Sequence, residues 1–288
     1  MNLKNPEEKE FVLDEDGILV SSKVVTHRDE DYNPATFASL TEIQSTHFWH
    51  IGRHNFLLQA LRHHHADRRF SAIDLGGGCG GWAAFLERQP GQLFPDLGLA
   101  DSSKQALAHA ARMVHRTKLY RVDILDLDWQ ERWDIAFLLD VIEHVDDDIC
   151  MLQRAARTLR QDGLLFVTAP ALPRLWSAYD QAIGHKRRYT KQTLATVSKA
   201  AGLRAIDIRY FMCGLLPACW LQRYLLQRSS CSSNQDELVR AVHRIPPRSV
   251  NALMAGIFTL ESLCYSFMRM PIGSSLLGVF QRADHHGS

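Results

Sequence analysis

The chain has 288 residues, enough for one large α/β domain with elaborations or for two small ones, and its 46% apolar content can build a sizeable core. A net charge of +1 removes the electrostatic case for a nucleic acid as the main partner. Six cysteines (Cys79, Cys150, Cys213, Cys219, Cys231 and Cys264) include no C-x-x-C pair, so neither a zinc site nor a disulfide framework is indicated and a cytoplasmic location fits.

Residues 1–35 are polar and weakly patterned and read as a loose N-terminal arm without the apolar stretch of a signal peptide. Across 36–69, Phe37, Leu40, Ile43, Phe48, Trp49, Ile51, Phe56, Leu57 and Leu61 fall at roughly helical spacing and predict a helical cap. Apolar strands then follow at 70–75, 97–101, 119–122, 133–140 and 163–168, with helical patterns between them to about 88, over 103–114 and over 147–160. This alternation predicts an α/β fold: a Rossmann-like, doubly wound, mostly parallel sheet with helices on both faces. A helix at 191–201, a sixth strand at 203–210 and a last strand at 275–280 complete it, so the main domain spans 70–210 plus 274–288. Residues 211–273 are too apolar to remain solvated and predict a helical insertion or lid before the last strand. No segment reaches the ~18 uninterrupted apolar residues of a spanning helix. Arg223, Arg228, Arg240, Arg244 and Arg248 beside the apolar faces of the insertion would suit peripheral contact with a membrane, and packing against the sheet or a dimer surface suits those faces as well. A monomer and a homodimer are both compatible with the sequence.

The most informative stretch is Ala72-Ile73-Asp74-Leu75-Gly76-Gly77-Gly78-Cys79-Gly80, a strand ending in a glycine turn, with a helical pattern starting at Trp82. Glycines let a ligand approach the backbone, and the helix N-terminus presents unsatisfied N–H groups to it. Gly76, Gly78 and Gly81 fit the dinucleotide spacing G-x-G-x-x-G, while Gly76, Gly78 and Gly80 fit G-x-G-x-G. With Asp74 two residues ahead, the turn resembles motif I of the class I S-adenosylmethionine (SAM)-dependent methyltransferases. Leu99-Ala100-Asp101-Ser102-Ser103-Lys104 resembles their ribose-binding segment, Leu139-Asp140-Val141-Ile142-Glu143-His144-Val145 their segment after the fourth strand, and 159–171 their fifth-strand segment. Together these cover about residues 48–210, and Asp74 with the three later segments disfavours an NAD(P)-dependent oxidoreductase.

The resemblance implies SAM as cofactor and a small-molecule acceptor. Asp101, at the end of the second strand, would accept the ribose hydroxyls, or cap the helix starting near Ser103. Asp123 would meet the adenine, or be a loop acid. Asp74 would hold the turn and, through water, the cofactor's ammonium. Asp140 would lie at the cofactor end of the fourth strand, and Trp49 would stack near the sulfonium or pack in the core. The Asp140-x-x-Glu143-His144 spacing also resembles a metal-binding segment of some methyltransferases, but those carry Glu at the first position, and no metal is expected. Glu143 and His144 would otherwise face the pocket or orient the loop.

The loop after the fifth strand carries Trp176, Asp180, His185, Arg187, Arg188 and Tyr189. Its Trp-Ser and Arg-Arg-Tyr elements resemble a branch of bacterial small-molecule methyltransferases. His185 is the first candidate for general base and His144 the second, with Asp180 orienting His185. Trp176, Arg187, Arg188 and Tyr189 would bind the acceptor, the guanidiniums by gripping a carboxylate or phosphate. Alternatively, Asp180 and an arginine pair to fold the loop and Tyr189 packs. The expected activity is methyl transfer to a small molecule, at oxygen. Transfer to carbon or nitrogen of an apolar or lipid-like acceptor is the alternative, and a non-catalytic SAM-binding protein is the competing class.

Overall fold

A computed structural model of the chain describes residues 11–25, 37–64, 70–90, 93–217 and 244–282. Nine strands form one sheet: β1 (Phe11–Leu13), β2 (Leu19–Ser21), β3 (Ser71–Leu75), β4 (Asp96–Asp101), β5 (Lys118–Arg121), β6 (Trp133–Leu139), β7 (Leu159–Pro170), β8 (Leu203–Phe211) and β9 (Ser275–Arg282). Their spatial order is β1-β2-β5-β4-β3-β6-β7-β9-β8. From β2 to β7 every neighbouring pair is parallel, and β9 runs antiparallel to β7 and β8 on either side. The order reverses at β3, which places a crevice beyond the carboxyl ends of β3 and β6.

Alternation along the strands divides the core in two. In β6, Ile135 and Phe137 face one way and Ala136 and Leu138 the other; in β7, Phe166 opposes Leu165 and Val167. The first face is covered by α2 (Phe48–His64), α3 (Gly81–Glu87) and α4 (Lys104–Met113), through Leu57, Leu61, Trp82, Leu86 and Leu107. The second is covered by α5 (Asp148–Thr158) and α7 (Lys191–Ala200), through Met151, Leu152 and Leu194. Between α5 and α7, β7 is followed by the one-turn helix α6 (Ala178–Ala182).

The expected loose arm is corrected in part. Residues 11–21 form a hairpin whose second strand adds to the free edge of β5, with Leu19 opposite Tyr120. Ile18 is fully buried, and the Phe11 ring meets Tyr120 and Trp129 edge-on or tilted at 5.5 and 5.9 Å. The turn is local: Asp14 accepts from the Asp16 and Ile18 amides, and Gly17 takes φ 76°. Strands of three residues carry too little period to be read from sequence, and the edge of β5 supplies what they lack alone.

The helical cap forms α1 (Phe37–Thr46) and α2, broken at His47. Within the expected insertion, residues 218–243, including Arg223, Arg228 and Arg240, lie outside the described residues. Its described helix, α8 (Arg248–Leu263), packs along α2. Asn251 accepts from the Phe48 amide and donates to the Thr46 carbonyl, Asn55 bonds Thr259, and the Phe258 side chain lies over Gly52. Leu253, Leu260, Leu263 and Phe267 point to solvent. Among the described residues no helix is long and apolar enough to cross a membrane.

Candidate active site

The glycine turn joins β3 to α3 with Gly76, Gly78 and Gly80 at φ 75°, 54° and 82°, a left-handed region that side chains rarely adopt. A Cβ on Gly76 would come 2.7 Å from Val141, so the loop after β6 lies against the turn. A Cβ on Gly78 would meet nothing within 4 Å, so this glycine faces open space. Asp101, at the end of β4, accepts from the Gly78 amide at 2.9 Å and the Ser103 amide at 2.8 Å. The cap of α4 is Ser103, which accepts from the Ala106 amide; Asp101 is therefore not that cap. Behind the turn, Asp74 is buried and neither carboxylate oxygen has a hydrogen-bond partner. Burial pushes its pKa up to about 7 against the opposing pull of Arg53, with Asp101 adding to the rise. Asp123 accepts from the Leu125 amide at 3.0 Å and caps a 3₁₀ turn, the loop-acid arrangement.

Across the crevice, α2 delivers Arg53 to Asp140, which sits just past β6 at φ 57°. The Arg53 guanidinium pairs with the Asp140 carboxylate and lies 4.9 Å over the ring of Trp49, one helical turn earlier. In the folded chain the cation beside Trp49 is Arg53, and the ring also packs against the first core face. Sequence reasoning gave Arg53 no role. The signal was its position four residues after Trp49 on one helix face.

The loop after β7 builds a third group around Asp180, which is fully buried. One carboxylate oxygen accepts from the Ser177 amide and hydroxyl at 2.8 and 2.9 Å. The other meets His185 Nδ1 at 3.1 Å and Arg188 Nε at 2.7 Å. Burial alone would raise this carboxyl, but the bonds from His185, Arg188 and Ser177 outweigh it and hold its pKa at about 2. Asp180 thus pairs with an arginine and orients His185 at once.

Both arginines expected to grip an acceptor are engaged inside the protein. Arg188 also donates to the Ala171 carbonyl, while Arg187 donates to the Val145 and Asp146 carbonyls and pairs with Asp148 at 3.0 Å. Tyr189 is buried and donates to Asp148 at 2.7 Å. These contacts fold the loop and correct the acceptor-binding expectation for all three. Trp176 remains 36% exposed at the rim.

His185 projects its other nitrogen, Nε2, toward Glu143 Oε1 at 3.8 Å. Glu143 is fully buried, and burial first, then Asp140, raises its pKa well above the carboxylate range. The His144 ring meets that of His185 edge-on, with centroids 4.9 Å apart. Burial, then the charge of His185, lowers its pKa to about 4, while its hydrogen bond to the Gly184 backbone opposes the drop. The fold therefore brings His144, Glu143, His185 and Asp180 together beside Asp140, and sets Asp74, Gly78 and Asp101 on the adjoining turn.

Comparison with known proteins agrees with this layout. Residues 40–208 match the methyltransferase domain family. A ubiquinone biosynthesis O-methyltransferase from Bradyrhizobium diazoefficiens is 32% identical over 115 residues, which are 38% of this chain and 43% of that protein, so the match spans less than half of that relative. A Haloferax volcanii protein solved in complex with the methyltransferase activator Trm112 superposes with a TM-score of 0.58 at 15% identity, covering 91% of this chain and 100% of that one. Phosphoethanolamine N-methyltransferase 2 of Haemonchus contortus, solved with SAM, gives 0.56 at 16% identity, covering 92% and 62%. Identities this low establish a shared fold.

Proposed function

The chain belongs to the class I SAM-dependent methyltransferases, and from that premise we propose that it methylates a small-molecule acceptor at a hydroxyl oxygen, with His185 as general base. The residues present fit the cofactor. Gly78 leaves an open approach to the backbone, and the buried Asp74 carboxyl has no partner in the protein. When bound, SAM supplies a methyl group activated on a sulfonium. Asp101 would share its carboxylate between the turn amides and the ribose hydroxyls. Asp74, through its proton balance, would match the cofactor's ammonium. Asp140 is held by Arg53 and fixes the loop that separates the cofactor turn from the His185 cluster.

The observation that carries the base assignment is the Asp180–His185 contact. Asp180, ionised and buried, accepts from Nδ1–H, which fixes the tautomer and leaves Nε2 as the nitrogen that can take a proton. The acceptor hydroxyl would lose that proton to Nε2 as its oxygen attacks the methyl group in line. His144 is held neutral and packs edge-on to His185, which would keep the ring in place. The relation to an O-methyltransferase supports oxygen as the acceptor atom.

The test is methyl transfer from labelled SAM to panels of hydroxyl, amine and carboxylate compounds, followed by His185→Gln. If His185 is the base, turnover falls about 10²- to 10⁴-fold with SAM affinity nearly unchanged. A single-turnover rate equal to the parent's would remove His185 from the chemistry.

A further inference from the structure

One face of α8 is apolar from end to end and lies open to solvent. Val250, Leu253, Ile257, Leu260 and Leu263 are all exposed and spread over about 140° of the helix circumference. Phe267 and Met268 continue the row past the end of the helix. Leu253 and Leu260 are each 65% exposed, and Phe267 is 80% exposed. The opposite side of α8 is occupied: Phe258 lies over Gly52, Asn251 holds the backbone of Phe48 and Thr46, and Thr259 bonds Asn55. The apolar row is therefore not the side that fastens α8 to the domain. A soluble protein rarely leaves so long a contiguous apolar row in water without something to meet it.

Charge decides which surface that is. Between residues 247 and 273 the only acid is Glu261, and it turns inward to accept from the Cys213 amide at 3.1 Å. Cations stand at both ends of the row, with Arg244 and Arg248 exposed before it and Arg269, 67% exposed, after it. Arg269 meets Asp207 at 3.3 Å, but Arg209 shares that buried carboxylate, so positive charge remains at this end too. A second copy of the chain fits poorly. Pairing two α8 helices in parallel sets Arg248 against Arg248, and pairing them antiparallel sets Arg248 against Arg269, with no acid to answer either. A bilayer with anionic headgroups answers both ends, while its acyl boundary takes the apolar middle. The breadth of the arc agrees, being wider than the seam that one partner helix covers. We propose that α8 is a docking surface for an anionic lipid bilayer, with the helix axis lying in the interfacial plane.

Docking brings the crevice with it. α8 runs beside α2 in the same direction, with Asn251 at Phe48 and Ser266 at His63. Its N-terminal end therefore lies with the turn of α2 that carries Trp49 and Arg53 to Asp140. On the membrane, that end of the molecule sits beside the headgroups, within reach of an acceptor dissolved in the bilayer. The supply of an acceptor from the bilayer rests on the methyltransferase reading, whereas docking does not.

The test is flotation of the full chain with vesicles, without SAM or acceptor. One set is phosphatidylcholine alone and the other phosphatidylcholine and phosphatidylglycerol in equal parts. Binding is expected to the anionic set, and added salt should weaken it. Leu260→Glu and Phe267→Glu should each lower that binding about 10- to 100-fold, and Arg244→Gln and Arg248→Gln about fivefold each. Thermal unfolding of all four variants should match the parent, since these side chains are exposed. No binding to anionic vesicles, or binding that Leu260→Glu and Phe267→Glu leave unchanged, overturns the docking surface. A dimer in analytical ultracentrifugation that the two glutamate variants dissociate also overturns it, because the face then belongs to a second copy. Marked thermal destabilisation of those variants overturns it as well, since the face is then covered within the chain itself. Vesicle binding with the expected pattern supports the surface even where no hydroxyl compound is methylated, so the two readings fail separately.

Discussion

Asp74 keeps a buried carboxyl without a hydrogen bond, and its pKa rises to about 7. The folded protein therefore binds this proton more tightly than the unfolded chain does. Its contribution to stability is full below about pH 4 and is lost as pH rises through 7. Asp74→Asn is expected to match the parent below about pH 4 and to exceed it increasingly up to pH 8 in thermal unfolding. A cationic ligand reverses the preference, because it binds the ionised carboxylate. SAM affinity should thus weaken by up to about tenfold per unit below pH 7 in the parent and vary little in Asp74→Asn, as measured by calorimetry across pH 5.5–8.5. An equal slope in both proteins would separate Asp74 from the ammonium. Asp101 acts differently, since two backbone amides of the turn region depend on it. Asp101→Ala is expected to weaken SAM binding by about 1.5–3 kcal/mol, the worth of hydrogen bonds to a charged group. Unchanged affinity would place the ribose elsewhere.

At the scale of elements, α2 does two jobs: it carries Arg53 to Asp140 and it receives α8 along its outer side. The two helices come close at Gly52, for a Cβ there would lie 2.6 Å from Phe258 Cβ. In an exposed helix interior, Gly→Ala stabilises by about 1 kcal/mol. Here the sign should invert, with Gly52→Ala lowering stability by about 1–3 kcal/mol through overpacking. The measurement is a denaturant midpoint, and a stabilised variant would show that α8 can withdraw from α2 without cost. Because Arg53 is the next residue, the same variant should disturb the Arg53–Asp140 pair and so the loop against Gly76.

For the whole molecule, the N-terminal hairpin extends the sheet by two strands and covers the β5 edge, which would otherwise present unpaired backbone groups. Ile18→Ala is expected to cost about 2–5 kcal/mol as a buried truncation, read by thermal or denaturant unfolding; a loose arm would give no change. The contrast marks what each source of information can decide. The parallel core, the glycine turn, the acids at the ends of β3, β4 and β6, and the helical character of α2 and α8 were all legible along the chain. They rest on period and spacing, which are local properties of a sequence. The side chains' partners were not legible. Arg53 and Asp140 are 87 positions apart, Arg187 turns to Asp148 and not outward, and Trp49 faces a guanidinium of its own helix. The grouping of Glu143 and His144 with His185 likewise exists only once β6 and β7 lie side by side. Sequence alone pointed to the charged groups that the strand ends bring to the crevice, since strand ends converge there in any doubly wound sheet, but not to Arg53, which a helix delivers. Only the tertiary structure decided which of them neutralise one another and which remain unpaired, because burial and distance, not chain position, set the energy of a charge.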